Sequence, residues 1–313
     1  KKFNQRSRLL TVPLAVIQGL SLIIVLSRQG ILGEVTTFSM IANVAVVVAG
    51  SLLVMWIGEL ISEFGIGNGV SLIIFAGIVA NIPKEVSQFL FTFDVANLPT
   101  YILFLIAGVL IVAAVVVVTE AERPIPVTYA KQVRGEHVAG GTQTYIPLRL
   151  NQAGVIPIIF ALSILLFPQL VGNFLATMDS STLQSISRAL LWFVNNTWVY
   201  SIVYFLLVFM FTYFYTAVTF DPDQMSTNLQ KNGAFIPGVR PGPATREYVA
   251  RVLNRITMIG AVFLGLIAVI PLIIRAVTGI TAFAIGGTAL LIVVSVVLDL
   301  IKKMDAQLSM REY

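Results

Sequence analysis

The feature that most constrains this chain is a set of eight long windows free of Asp, Glu, Lys and Arg. They run from Leu9 to Leu26, Thr36 to Gly58, Gly69 to Pro83, Leu98 to Thr119, Gly154 to Leu175, Thr197 to Phe220, Ile256 to Ile274 and Thr278 to Val297. A hydrocarbon core about 30 Å thick is crossed by roughly 20 apolar residues of helix. Inside it only helices and closed barrels satisfy every backbone N–H and C=O. Gly69 to Pro83 is short enough to be a re-entrant segment; the other windows have crossing length. With 57% apolar and 11% charged residues, the rest of the chain is too poor in charge to cover a soluble domain. The expectation is an all-α, polytopic membrane helix bundle with eight transmembrane helices.

Eight crossings put both ends of the chain on one side and divide the loops into two sets. One set holds Lys1, Lys2, Arg6, Arg8, Arg123, Lys131, Arg134, Arg149, Lys231, Arg240, Arg246, Arg251, Arg255, Lys302, Lys303 and Arg311; the other holds Arg28, Lys84, Arg188 and Arg275. Basic residues accumulate in cytoplasmic loops, so the larger set is expected in the cytoplasm, together with both termini. Omitting the short third window would scramble this partition, which supports counting it as a crossing. The net charge of +5 is thus mostly topological. The basic residues form no aromatic-interleaved patch, so nucleic-acid binding is not expected. Cysteine is absent, which excludes disulfides and thiol chemistry. The opening KKFNQRSR, without Met and close to the first span, reads as cut.

Two cytoplasmic loops are long enough to fold outside the bilayer. Arg123 to Arg149 carries the alternation Ile125, Val127, Tyr129 and a turn at Arg134-Gly135, the pattern of a short hairpin. Asp221 to Arg251 is interrupted by Pro222, Pro237-Gly238, Pro241-Gly242 and Pro243, which predicts a structured, turn-rich finger. On the other side, Ser180 to Asn195 is amphipathic and expected along the outer membrane surface.

Chemistry is harder to find. Ionisable groups at mid-span mark ion pathways, yet Glu59, Glu63, Glu120 and Asp299 all sit at span ends, against a proton- or sodium-coupled transporter. His137 is the only histidine and has no Cys or carboxylate cluster at ligand spacing, so no metal and no cofactor is expected. Gly65-Ile66-Gly67-Asn68-Gly69 follows no strand and reads as an interhelical turn. The uncharged polar residues Gln18, Asn151 and Gln152 suit interhelical hydrogen bonds.

Five motifs give the chain a family resemblance. GIGNGVSLIIFAGIVA at Gly65 to Ala80, TYAKQVRG, YIPLRLNQAGVIPIIFA at Tyr145 to Ala161, GAFIPGVRPG at Gly233 to Gly242 and GGTALLIVVSVVLD at Gly286 to Asp299 occur in the order found in SecY-like proteins. The resemblance covers spans three to ten of that family's ten, so the first two spans and the plug segment between them are expected to be missing. It implies residues 1–82 as the rest of an N-terminal half, an external hinge at 83–97, and a C-terminal half at 98–301. Cytoplasmic loops would lie at 120–150 and 221–252, and a cytoplasmic tail at 302–313.

The resemblance further implies a protein-conducting channel of the Sec translocon, not itself an enzyme, in the bacterial cytoplasmic membrane. It would pass unfolded preproteins and release hydrophobic segments sideways into lipid. Carried over by position, the pore ring includes Val70, Ile74, Ile159 and Ile292, and the lateral gate Gln18, Asn151 and Phe167. Partners would be SecE, SecG and the SecA ATPase or the ribosome, which meets the loops carrying Lys131, Arg134, Arg240 and Arg246. At Glu136-His137 the chain departs from the family's frequent basic pair, and a carboxylate there disfavours ribosomal RNA. The rivals are a secondary transporter of a small solute, for which Pro157 and Pro271 could mark broken helices, and a membrane-embedded hydrolase.

Overall fold

A computed structural model of the chain describes residues 2–28, 30, 36–91, 98–129, 132–134, 137–139, 143–176, 178, 180–278 and 282–311. A helix stands at every one of the eight windows. They are α1 (Lys2–Arg28), α2 (Thr37–Phe64), α3 (Gly69–Phe91), α4 (Leu98–Glu120), α5 (Ile156–Leu175), α7 (Thr197–Thr219), α9 (Pro243–Thr278) and α10 (Ala282–Arg311). Two further helices lie outside the windows, α6 (Ser181–Asn195) and α8 (Pro222–Lys231). Four helical segments among the described residues are long and apolar enough to cross a membrane: Thr37–Phe64, Ile156–Leu175, the one beginning at Thr197, and Pro243–Ile274. Shorter apolar helix occupies Thr11–Ile24, Gly69–Lys84 and Leu105–Glu120.

The helices are faced for lipid. On α7 the residues Trp198, Ile202, Leu206, Met210, Phe214 and Val218, spaced by four, are all exposed, while Ser201, Tyr204, Val208, Thr212 and Thr216 are buried. A four-residue spacing makes successive members of each set neighbours along the helix. Large apolar groups outward and small or hydroxyl-bearing ones inward is the arrangement favoured where the surroundings are as apolar as leucine. Thr212 directs its hydroxyl to the Val208 carbonyl at 2.7 Å, satisfying it within the helix.

Three element boundaries differ from the sequence expectation. Pro83 does not end the third span: α3 continues to Phe91, so part of the expected 83–97 hinge is helical, and 92–97 lies outside the described residues. Proline removes one backbone donor, and neighbouring groups in a membrane helix can compensate for that loss. The expected finger at 221–252 contains α8 and the first turns of α9, because Asp221 caps α8 by accepting from the Asp223 and Gln224 N–H groups at 2.9 and 3.3 Å. The expected tail at 302–313 is helical as far as Arg311.

The chain forms two compact units. One gathers Lys1–Phe89, Leu162–Ser201 and Asp299–Tyr313; the other gathers Leu90–Ala161 and Ile202–Leu298. Within the first, α6 docks on the end of α5: Ser187, 2% exposed, donates to the Gly172 carbonyl at 2.7 Å. A side chain at Gly172 would press on Leu191 at 3.2 Å.

Candidate functional site

The first long loop, between α4 and α5, is β-structured. β1 (Glu122–Tyr129) and β4 (Gln143–Arg149) pair antiparallel with Ile125 opposite Ile146, and β2 (Gln132–Arg134) pairs with β3 (His137–Ala139), as the alternation predicted. Pro124 and Pro126 fall where β1 is covered on one side only. There a missing N–H is tolerated. Ile125 and Val127, each 1% exposed, point to one face.

The second loop joins the same sheet. β5 (Ala234–Phe235) pairs with the end of β1, Thr128 opposite Phe235 and Tyr129 opposite Ala234, giving the order β4-β1-β5. Under it lies a core of Ile125, Val127, Leu148, Leu229, Ala234, Ile236, Val249, Val252, Leu253 and Ile256. Burying a side chain of this size contributes about 1.5–3 kcal/mol. The two loops, separated in sequence by α5, α6 and α7, are therefore one module with one core.

Arg240 stands on this module. Gly238 and Gly242, the glycines of the two Pro-Gly pairs, have φ of +81° and +101°, a region open to glycine and costly for other residues. The Val239 N–H closes the first turn on the Ile236 carbonyl at 3.0 Å. Two buried hydroxyls then fix the loop from below: Thr245 donates to the Arg240 carbonyl at 2.9 Å and Ser226 to the Gly242 carbonyl at 2.8 Å. The backbone is held while the Arg240 side chain is exposed. Beside it Arg246 pairs with Asp223 at 2.8 Å, both more than half exposed, on the rim of a cavity of about 210 Å³ lined also by Ser226, Thr227 and Gln230. Sequence reading singled out Arg240 and gave no notice of Thr245 and Ser226. Thr245 has the weak signal of a hydroxyl two residues after Pro243, and Ser226 has none.

The other expected contacts are partly outside view. Lys131 and Glu136 lie outside the described residues, and Arg134 and His137 are described by their backbone alone. Asn151 is buried and engaged in its own turn, accepting from the Gly154 N–H at 2.9 Å and donating to its carbonyl at 3.4 Å. Leu150, just before it, packs its carbonyl against α9 at Gly260, where a Cβ would collide with it.

Val70 and Ile74 share one face of α3, Val70 being 48% exposed and Ile74 half-buried. In the other unit Ile159 on α5 is half-buried and Ile292 on α10 is buried. Gln18 and Phe167 are exposed on α1 and α5. No group of three or more His, Cys, Asp or Glu able to hold a metal occurs among the described residues.

Comparison with known proteins covers the whole chain. The SecY family model matches residues 1–301. A protein translocase subunit SecY of Mycobacterium leprae is 40% identical over 332 aligned residues, spanning 100% of this chain and 74% of that one. Its counterpart in Thermotoga maritima is 39% identical over 320, spanning 100% and 71%. Among solved structures, a SecY protein studied for its plug domain aligns with a TM-score of 0.68 at 21% identity, over 96% of this chain and 73% of its own. Another, described as a protein-conducting channel, aligns with a TM-score of 0.66 at 20% identity, over 95% and 71%. The structural likeness establishes the fold, that of a multi-pass membrane helix bundle. Together with the family match over residues 1–301 it leads to one conclusion: the chain belongs to the SecY family.

Proposed function

We infer that this chain is a protein-conducting channel subunit of the Sec translocon, passing unfolded preproteins across the bacterial cytoplasmic membrane and releasing hydrophobic segments into lipid. The observation that carries this is the family match along residues 1–301, joined to relatives that are translocase subunits over the full length of the chain. It supplies a passage, and the chemistry of the driving force comes from elsewhere.

Val70, Ile74, Ile159 and Ile292 form the pore ring in this reading. Branched aliphatic side chains offer water no hydrogen-bond partner, so a ring of them closes by dewetting and yields to a passing chain. Gln18, Asn151 and Phe167 belong to the lateral gate, where a hydrogen bond worth about 1 kcal/mol closes a seam without locking it. SecE and SecG are the membrane partners, and both ends of the chain lie in the cytoplasm. SecA or the ribosome docks on the module that carries Arg240, Arg246, Lys131 and Arg134. Arg240 suits docking because its backbone is already fixed, so a guanidinium fork meets a carboxylate or carbonyl with little further ordering cost.

The test is crosslinking. Ile74→Cys in the assembled translocon should crosslink to a stalled secretory chain, and a translocating chain that passes without touching position 74 would overturn the channel reading. For the docking surface, Arg240→Glu should stop SecA-dependent export while the protein still folds and inserts; normal export would remove Arg240 from the contact.

A further inference from the structure

The turn between α2 and α3 is held by backbone contact. Gly69, the first residue of α3, approaches α2 so closely that a Cβ there would run into the Gly58 carbonyl oxygen and stand 2.8 Å from Cβ of Ile61. Val70 then covers Gly58, whose own Cβ would meet Val70 Cγ2 at 3.3 Å. With glycine on both helices the backbones touch, and the place of Val70 follows from that touch, with no cushion of side chains between.

Ser62 closes the contact. Its hydroxyl donates to the Gly58 carbonyl at 2.9 Å and accepts from the Gly69 N–H at 2.8 Å. The first N–H groups of a helix have no acceptor inside it and need one supplied. Asn68, the residue before α3, directs its side-chain oxygen to the Ser71 N–H at 3.1 Å. Gly69 is served by the neighbouring helix instead. One hydroxyl therefore ties the last turns of α2 to the start of α3.

We infer that Ser62 is a positioning residue for the channel's seal: by pinning Gly58 to Gly69 it sets the height and rotation of Val70 and, one turn on, of Ile74. The inference rests on the assignment of those two residues to the pore ring. Its physical basis is the geometry of a helix, in which a slip by one residue turns a side chain by about 100° and lifts it by about 1.5 Å. A dewetted constriction depends on its apolar walls staying close, so a shift of that size admits water. A hydroxyl that served only as a helix cap would affect stability and leave the seal alone.

The experiment measures ion leak through vesicles reconstituted with the chain and its partner subunits, and export of a preprotein with a defective signal sequence. Ser62→Ala should raise leak severalfold and relax signal selectivity, and Ser62→Thr, which keeps the hydroxyl, should restore both. In a Val70→Ala background the Ser62→Ala increment should vanish, because residues acting through one contact are non-additive. Wild-type leak in Ser62→Ala, with Val70→Asn leaking, overturns the positioning role alone. Wild-type leak in Val70→Asn overturns the ring assignment and this inference with it. Should Ser62→Ala fail to insert, the same coupling is read with Ser62→Cys, whose weaker donor should give an intermediate leak; additivity with Val70→Ala would again count against it.

Discussion

The sheet module and the α2–α3 hairpin solve the same problem, holding two chain segments in register, by opposite means. The module places ten apolar side chains between β1, β4, β5, α8 and α9. The hairpin has almost no side chain at its closest point, only Gly58, Gly69 and a serine. The difference lies in the solvent. Water drives apolar groups together in the module, at about 25 cal/mol per Å² removed from it. Between membrane helices that drive is weak, and close packing with hydrogen bonds takes its place. One chain thus carries two rules of assembly, assigned by where each segment sits.

The contrast can be broken most forcefully at Gly69. Gly69→Val has nowhere to place its side chain, and should cost on the order of 5 kcal/mol or prevent stable insertion, read as loss of the protease-resistant membrane core. A stable Gly69→Val protein would show that backbone contact is not what joins the hairpin. Next comes the module core: Ile125→Ala should destabilise by about 2–5 kcal/mol and expose the module's loops to proteolysis before the membrane helices respond. Simultaneous loss of both regions would deny that they are separate assemblies.

Smaller changes sharpen the picture. Thr245→Val keeps the shape and removes the donor to the Arg240 carbonyl, for a loss of about 1 kcal/mol and faster amide exchange across residues 238–242. Unchanged exchange there would mean the Pro-Gly turns alone hold the loop. Asp223→Asn breaks an exposed ion pair with Arg246 and should cost under about 0.5 kcal/mol, an effect that 1 M salt erases. A larger, salt-insensitive loss would place the pair in the module's folding core.

Much of this was legible in the sequence because solvent imposes a simple code. Charge-free windows located all eight expected helices, and alternation around Ile125 and Val127 located the hairpin. The length of α3 was not legible: Lys84 and Glu85 look like the end of a span, yet the backbone carries the helix through them to Phe91. Charge tells where a segment leaves the lipid, and says nothing about whether its hydrogen-bond ladder stops there. Arg240 stood out because two Pro-Gly pairs flank it. Thr245 and Ser226 did not, since a hydroxyl's partner is a carbonyl whose nearness depends on the fold.

The sequence by itself determined that this chain is a multi-pass membrane protein and where its long apolar helices and its β-structured loop lie. Each of those is a sum over local transfer free energies, and such sums can be read residue by residue. Only the tertiary structure decided that β5 completes the sheet begun by β1, that Ser62 bridges Gly58 and Gly69, and that Asn151 spends its amide on its own turn. Those are pairings between groups with many possible partners, and a pairing is settled by geometry once the whole chain has packed.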